Sequence, residues 1–225
     1  MSSSIEYLLF DLDNTLYSSR WGLEQEVSRR ANHYVAEYLD IPLEEAIALR
    51  KERVIKGGYG TTLEWLCAEH GLGGTELERY FAYIHPENEA DTLLPDPALR
   101  AFLISFSSGN IPMGILTNSP LEHAKRILTK LGVEDLFHTI FDIRRNGYKG
   151  KPKADVYRRV LKELDVTAPS CLLIDDVPRY VEGYLAIGGT GVLFDEDKRY
   201  PEFPGPRIQK LEEISGFLEI STPDL

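Results

Sequence analysis

Cysteine is scarce in this 225-residue chain: only Cys67 and Cys171 occur, both inside apolar stretches, with no CxxC and no Cys/His cluster. That spacing excludes a zinc site and leaves buried free thiols, at home in a reducing compartment. Positive charge is also short, with 25 Lys and Arg against 36 Asp and Glu and a formal net charge of -11. Neutralising a polynucleotide backbone needs clustered cations, so a nucleic-acid polymer is excluded as partner. No apolar run approaches the roughly 20 residues of a membrane span, and the start, MSSSIEYLLFDLD, carries no basic leader. A soluble, cytoplasmic protein with no membrane partner is expected, as a monomer or homodimer. Internal repeats and low-complexity segments are absent as well.

What the chain does have is enough apolar material, 43% of residues with 10% aromatic, to bury one full core and a smaller second one. Short apolar runs read as strands buried on both faces: YLLF at 7–10, IPMGIL at 111–116, HTIFDI at 138–143, CLLI at 171–174 and TGVLF at 190–194. Between them, LEHAKRILTKL from Leu121, ADVYRRVLKEL from Ala154 and RYVEGYLAI from Arg179 place apolar residues three and four apart, as amphipathic helices do. Alternating strand and helix predicts an α/β fold with a doubly wound, Rossmann-like parallel sheet.

Residues 18–94 differ. LEQEVSRRANHYVAEYL and LEEAIALRKERVI are helical, no strand pattern intervenes, and the Gly57-Gly58-Tyr59-Gly60 break separates two helical pairs. A helical cap domain over 18–94 is expected, inserted after the first strand of a core formed by 1–17 and 95–225, with LLPDP at 93–97 marking the return. The stretch YPEFPGPR at 200–207 reads as a surface connection to a last element, IQKLEEISGFLEI.

Chemistry concentrates where strands end, which is where open parallel sheets bind ligands. FDLDNTLY delivers Asp11 and Asp13, with Asn14 at a tight turn that can bring both carboxylates to one site. One can attack while the other handles protons, provided a cation and a lysine relieve the repulsion between a carboxylate and a phosphate dianion. GILTNSP supplies Thr117 and Asn118, a hydroxyl and an amide suited to phosphate oxygens, and Ser119-Pro120 reads as a helix start with free backbone donors. YKGKPKADVY offers Lys149, Lys151 and Lys153; CLLIDDVP offers Asp175 and Asp176, a pair whose repulsion a hard cation such as magnesium would relieve.

Taken together, these elements resemble the haloacid dehalogenase superfamily: Asp11 and Asp13 look like its DxDx[TV] motif, Thr117 its second motif, Lys151 its lysine and Asp175-Asp176 its acidic pair, over roughly residues 6–194. The resemblance implies a Mg²⁺-dependent phosphomonoesterase acting on a small phosphate-ester metabolite. It implies an aspartyl-phosphate on Asp11, Asp13 as proton carrier, phosphate held by Thr117, Asn118 and Lys151, and metal held by Asp11, the Asp13 carbonyl, Asp175 and Asp176. The insertion is similar to the helical cap of the first subfamily. DLDNTLY, GGYGTT and IDD look like the pyrimidine 5'-nucleotidase group, with Tyr59 beside its glycines as a candidate substrate contact.

Blander readings compete. Asp and Asn serve turns, Thr117-Asn118 serves an N-cap, and lysine clusters are commonly solvated loops; only the combination in register overturns them. Tyr17, Trp21, Trp65 and Tyr83 are expected to pack rather than bind, and His70, His85 and His123 to lie on the surface or in the cap. Two other functions stay open at this level: halide displacement by Asp11, and a non-catalytic phosphate- or metal-binding module.

Overall fold

A computed structural model describes residues 4–108 and 110–218. Tyr7–Phe10 forms β1, and the chain then enters a helical segment of Leu23–Leu39 (α1), Leu43–Arg50 (α2), a π-helical turn at Lys51–Lys56, Thr62–His70 (α3) and Thr75–Ile84 (α4). It returns through Pro97–Ser108 (α5), Met113–Leu116 (β2), Leu121–Leu131 (α6), Thr139–Phe141 (β3), Ala154–Leu164 (α7), Cys171–Asp175 (β4), Pro178–Leu185 (α8), Thr190–Phe194 (β5), Arg207–Ile208 (β6) and Ser215–Leu218 (α9). The strands form one parallel sheet in the order β3-β2-β1-β4-β5-β6.

Side chains along β1 alternate between two cores, as the two-residue period of a strand requires. Leu8 and Phe10 join Ile115, Ile174 and the α5 and α6 residues Leu103 and Ile127 on one face. Tyr7 and Leu9 join Leu173 and the α7 and α8 residues Tyr157, Val160 and Tyr184 on the other. Helices therefore cover both faces of an α/β sheet, as expected. Each fully buried Leu or Ile in these layers contributes about 1.5–3 kcal/mol over its exposed state.

Helices α1 to α4 bury a separate cluster around Trp65, Leu66, Val35 and Phe81. That cluster also takes in Ile143 and Tyr148 from the loop after β3, so the helical layer is seated on the sheet's C-terminal edge. Cys67 and Cys171 are both free thiols, and no helix among the described residues is long and apolar enough to cross a membrane.

Two expectations need correction. The third strand stops at Phe141 because Asp142 turns its carboxylate onto the backbone N–H groups of Leu121, Arg144 and Arg145, which no longer pair along a ladder. The connection at 200–207 ends in a sixth strand rather than only a surface path, since Arg207–Ile208 pairs with Leu193–Phe194. The last element contains a 3-10 turn at Leu211–Ile214 before α9, and the end of its sequence, residues 219–220, lies outside the described residues.

Candidate active site

β1 ends at Phe10, and the next residues turn instead of continuing the pleat. Asn14 takes a left-handed conformation (φ 54°), which Asn tolerates better than most residues. The turn brings Asp11 and Asp13, two apart in sequence, to the wall of one inner cavity of ≈ 110 Å³. Thr117, Asn118, Lys151 and Asp176 line it as well.

Lys151 is wholly buried and donates to Asp11 Oδ1 at 2.8 Å and to Asp175 Oδ2 at 2.6 Å. Its neighbours have other partners: Lys149 reaches Asp155 at the surface, and Lys153 pairs with Glu64 on α3. Asn118 holds the lysine in place from both sides of its peptide, accepting from Lys151 N at 2.8 Å and donating to Lys151 O at 3.2 Å. The Asn118 amide is thus engaged with backbone. Thr117 Oγ1 accepts from Ser119 N at 3.0 Å. The helix start at Ser119-Pro120 offers fewer free donors than its sequence implied, because Asp142 also takes the Leu121 N–H.

Carboxylate oxygens of Asp11, Asp175 and Asp176 all lie within 4.8 Å of one another. Three buried acids against one lysine leave an uncompensated negative charge. Burial pushes the Asp11 carboxyl well up; Lys151 pulls it back, while Asp175 and Asp13 push it further. Asp176 is raised by burial and by repulsion from Asp11 and Asp175. Hard oxygen donors with raised affinity for positive charge suit a divalent cation.

Asp13 is in the opposite situation. Its Oδ1 accepts from Tyr17 OH at 2.7 Å and from His123 Nε2 at 2.7 Å; its Oδ2 accepts from Ser119 Oγ at 3.1 Å. Burial opposes its ionisation, but the charge and hydrogen bond of His123 outweigh that and hold the carboxyl down at about 2. The second nitrogen of His123, Nδ1, meets Glu89 Oε1 at 2.7 Å. Carboxylates only accept, so an imidazole bonded to one at each nitrogen is doubly protonated. Burial pulls His123 down, but Asp13 and Glu89 together push it up to about 10. Arg126 clamps Glu89 at 2.6 Å, and His85 Nδ1 meets its other oxygen at 3.0 Å. Burial and the neighbouring His123 push His85 down to about 4, leaving it neutral. His85, Glu89 and His123 are close enough to hold an ion, but Arg126 already supplies the positive charge there.

One expectation about this neighbourhood is overturned. His123 is buried on α6, neither on the surface nor in the helical segment, whereas His85 lies at the end of α4, also buried. The signal for His123 was present: it lies four and eight residues before Ile127 and Leu131, on the buried stripe of α6. Tyr17 does more than pack, since its hydroxyl serves Asp13. Tyr59 lines neither the inner cavity nor the larger one beside it; its hydroxyl donates to Glu69 at 3.1 Å and its ring packs against the helical cluster. The adjacent Gly60 permits a close approach, but to protein: a Cβ there would lie 2.9 Å from the Lys151 carbonyl oxygen.

A family model described as haloacid dehalogenase-like hydrolase matches residues 5–188. A phosphoglycolate phosphatase of Rhodospirillum rubrum is 30% identical over 193 residues, covering 80% of this chain and 76% of its own. The structure of β-phosphoglucomutase from Clostridium difficile superposes with a TM-score of 0.63 at 21% identity, over 96% of this chain and 98% of that one. L-2-haloacid dehalogenase from Xanthobacter autotrophicus does so with a TM-score of 0.63 at 14% identity, over 97% and 100%. Equal likeness to both structures shows the fold and leaves the reaction to the side chains.

Proposed function

This chain belongs to the haloacid dehalogenase-like hydrolases, and from that membership we propose that it is a magnesium-dependent phosphomonoesterase acting on a small phosphorylated metabolite. The observation that carries the reading is Lys151 bridging Asp11 and Asp175 beside Asp176, with Asp13 two residues away in a separate set of donors.

Asp11 is the nucleophile. An oxygen of its carboxylate attacks phosphorus, the ester bond breaks, and Asp13, protonated through its hydrogen bond to His123 as the phosphate dianion binds, gives that proton to the departing oxygen. The His123 N–H lies one hydrogen bond away to resupply Asp13. Asp13 then takes a proton from the water that hydrolyses the aspartyl-phosphate. Lys151, with Thr117 and Asn118 on the cavity wall, would hold the phosphoryl oxygens. Asp11, Asp175, Asp176 and the Asp13 carbonyl would hold magnesium, which would neutralise the phosphate charge that otherwise repels Asp11.

Halide displacement needs neither a proton donor at Asp13 nor three clustered acids, so the donor set favours the phosphatase. Residues 18–94 act as the cap in this reading, closing the inner cavity off from water, and the core is formed by 1–17 and 95–225. Within the substrate class, a pyrimidine nucleoside 5'-monophosphate is the first compound to test, on the strength of DLDNTLY, GGYGTT and IDD.

The deciding experiment is hydrolysis of an aryl phosphate with and without magnesium. Turnover that chelation removes and magnesium restores is expected. Absence of turnover at saturating magnesium would defeat the proposal.

A further inference from the structure

Beside the inner cavity lies a larger one, ≈ 450 Å³, walled by the helical segment. Glu24, Asn118, Ser119 and Tyr180 line both, so the two are contiguous. Three cations line the larger one: Arg50 at the end of α2, Lys51 in the π-helical turn and Arg179 in the first turn of α8. Glu24 is its one carboxylate, and it is engaged by Asn14 at the seam.

The arginines are held by neutral groups alone. Arg50 donates through Nε to Thr62 Oγ1 at 2.7 Å and through Nη1 to Ser28 Oγ at 2.9 Å and Asn32 Oδ1 at 3.0 Å. Among the described residues its Nη2 has no acceptor. Arg179 donates to the Val54 carbonyl at 3.0 Å and to Tyr180 OH at 3.2 Å. Neither forms an ion pair with a described carboxylate, in a chain whose net charge is -11. Elsewhere acids have found arginines readily: Arg100 meets Asp135, Arg126 meets Glu89, and Arg144 meets both Glu78 and Glu122. Burial lowers the affinity of Arg50 for its proton, a cost that an anion in the cavity would offset. The rigid fork of a guanidinium suits carboxylate and phosphate oxygens.

We infer that the substrate carries a second anionic group, a carboxylate or a second phosphate, which Arg50 and Arg179 bind while its phosphate ester occupies the inner cavity. The identity of the group in the inner cavity rests on the phosphomonoesterase reading; the cation pair does not. The pyrimidine nucleoside 5'-monophosphate named above, uncharged at its far end, would leave both guanidiniums unmatched, so this inference ranks a doubly anionic ester ahead of it.

Calorimetry with magnesium present tests the inference on non-hydrolysable probes: ω-phosphonocarboxylates of two to five carbons, their terminal amides, and the matching bisphosphonates. At one chain length the acid or the bisphosphonate should bind about 10- to 100-fold more tightly than the amide. Which of the two wins identifies the second anion. Arg50→Gln, or Arg179→Gln if the first fails to fold, should bring that ratio close to one. Equal affinity of acid, bisphosphonate and amide at every length overturns the inference, whether or not aryl phosphate is hydrolysed. So does a ratio unchanged in both variants. A preference for the second anion without aryl phosphate hydrolysis would instead keep this subsite and reject the phosphatase.

Discussion

The two contiguous cavities are opposites in origin and charge. The inner one, ≈ 110 Å³, is built mainly by the loops that follow β1, β2, β3 and β4 and gathers carboxylates around one lysine. The outer one, ≈ 450 Å³, is built mainly by α1, α2 and their connections and gathers cations. In the proposed reading, reaction and selection are carried by different parts of the chain, so each can be changed with the other left standing. A variant of the inner set should lower turnover for every ester, whereas a variant of the outer set should reorder the esters.

The strongest way to break that division lies in the inner set. Asp11→Asn should abolish hydrolysis of all esters, because an amide cannot attack phosphorus. Asp13→Asn should slow both half-reactions by about 10²- to 10⁴-fold. Steady-state rates on a panel of esters check both, and an Asp13 variant that merely reorders the panel would contradict the division.

His123 sharpens it, as a positioning residue outside both cavities. His123→Gln keeps a donor toward Asp13 but loses the charge, and should lower kcat by up to about 10²-fold with KM little changed. The same residue sets a pH signature. Its folded-state pKa, about 10, lies above the unfolded value of about 6.5. The stability it contributes is thus complete below pH ~6.5 and is lost as pH rises toward about 10. Thermal unfolding should show that alkaline loss in the wild type and a flatter profile in His123→Gln. A larger alkaline loss in the variant would remove His123 from this role.

The smallest effect is expected at the seam. Gly60 meets the carbonyl oxygens of Lys151 and Gly150, and Glu64 in the same segment accepts from Gly60 N at 3.0 Å and pairs with Lys153. Gly60→Ala should overpack this contact and cost about 1–3 kcal/mol in denaturant unfolding. Chemistry should survive wherever the lysine loop refolds, and an unchanged midpoint would show that the seam is loose.

How much of this the sequence disclosed follows from how each residue reaches its place. Asp11, Asp13, Thr117, Asp175 and Asp176 sit at the ends of apolar runs, so finding the strands locates them, whereas Lys151 lies in a polar loop three residues before α7. α6 and α7 likewise begin at Leu121 and Ala154 because their apolar spacing is nearly ideal. The other groups come together through packing. Glu89 arrives from the loop between α4 and α5, and nothing near it in sequence mentions His123 or Asp13. Arg50 ends an ordinary amphipathic helix, and its neutral surroundings come from α1 and α3. Tyr59 shows the reverse: of its flanking glycines Gly60 does serve a close approach, and its partner is the lysine loop.

The central claim is that Asp11 is the group that takes the phosphoryl. Acid quench during steady-state hydrolysis of an aryl phosphate, followed by borohydride reduction and peptide mass spectrometry, reads this directly, since an acyl phosphate is reduced to an alcohol and a free carboxylate is not. The account predicts homoserine at position 11 and nowhere else, dependent on substrate and on magnesium. Reduction at another acid, or at none while product accumulates, would contradict it.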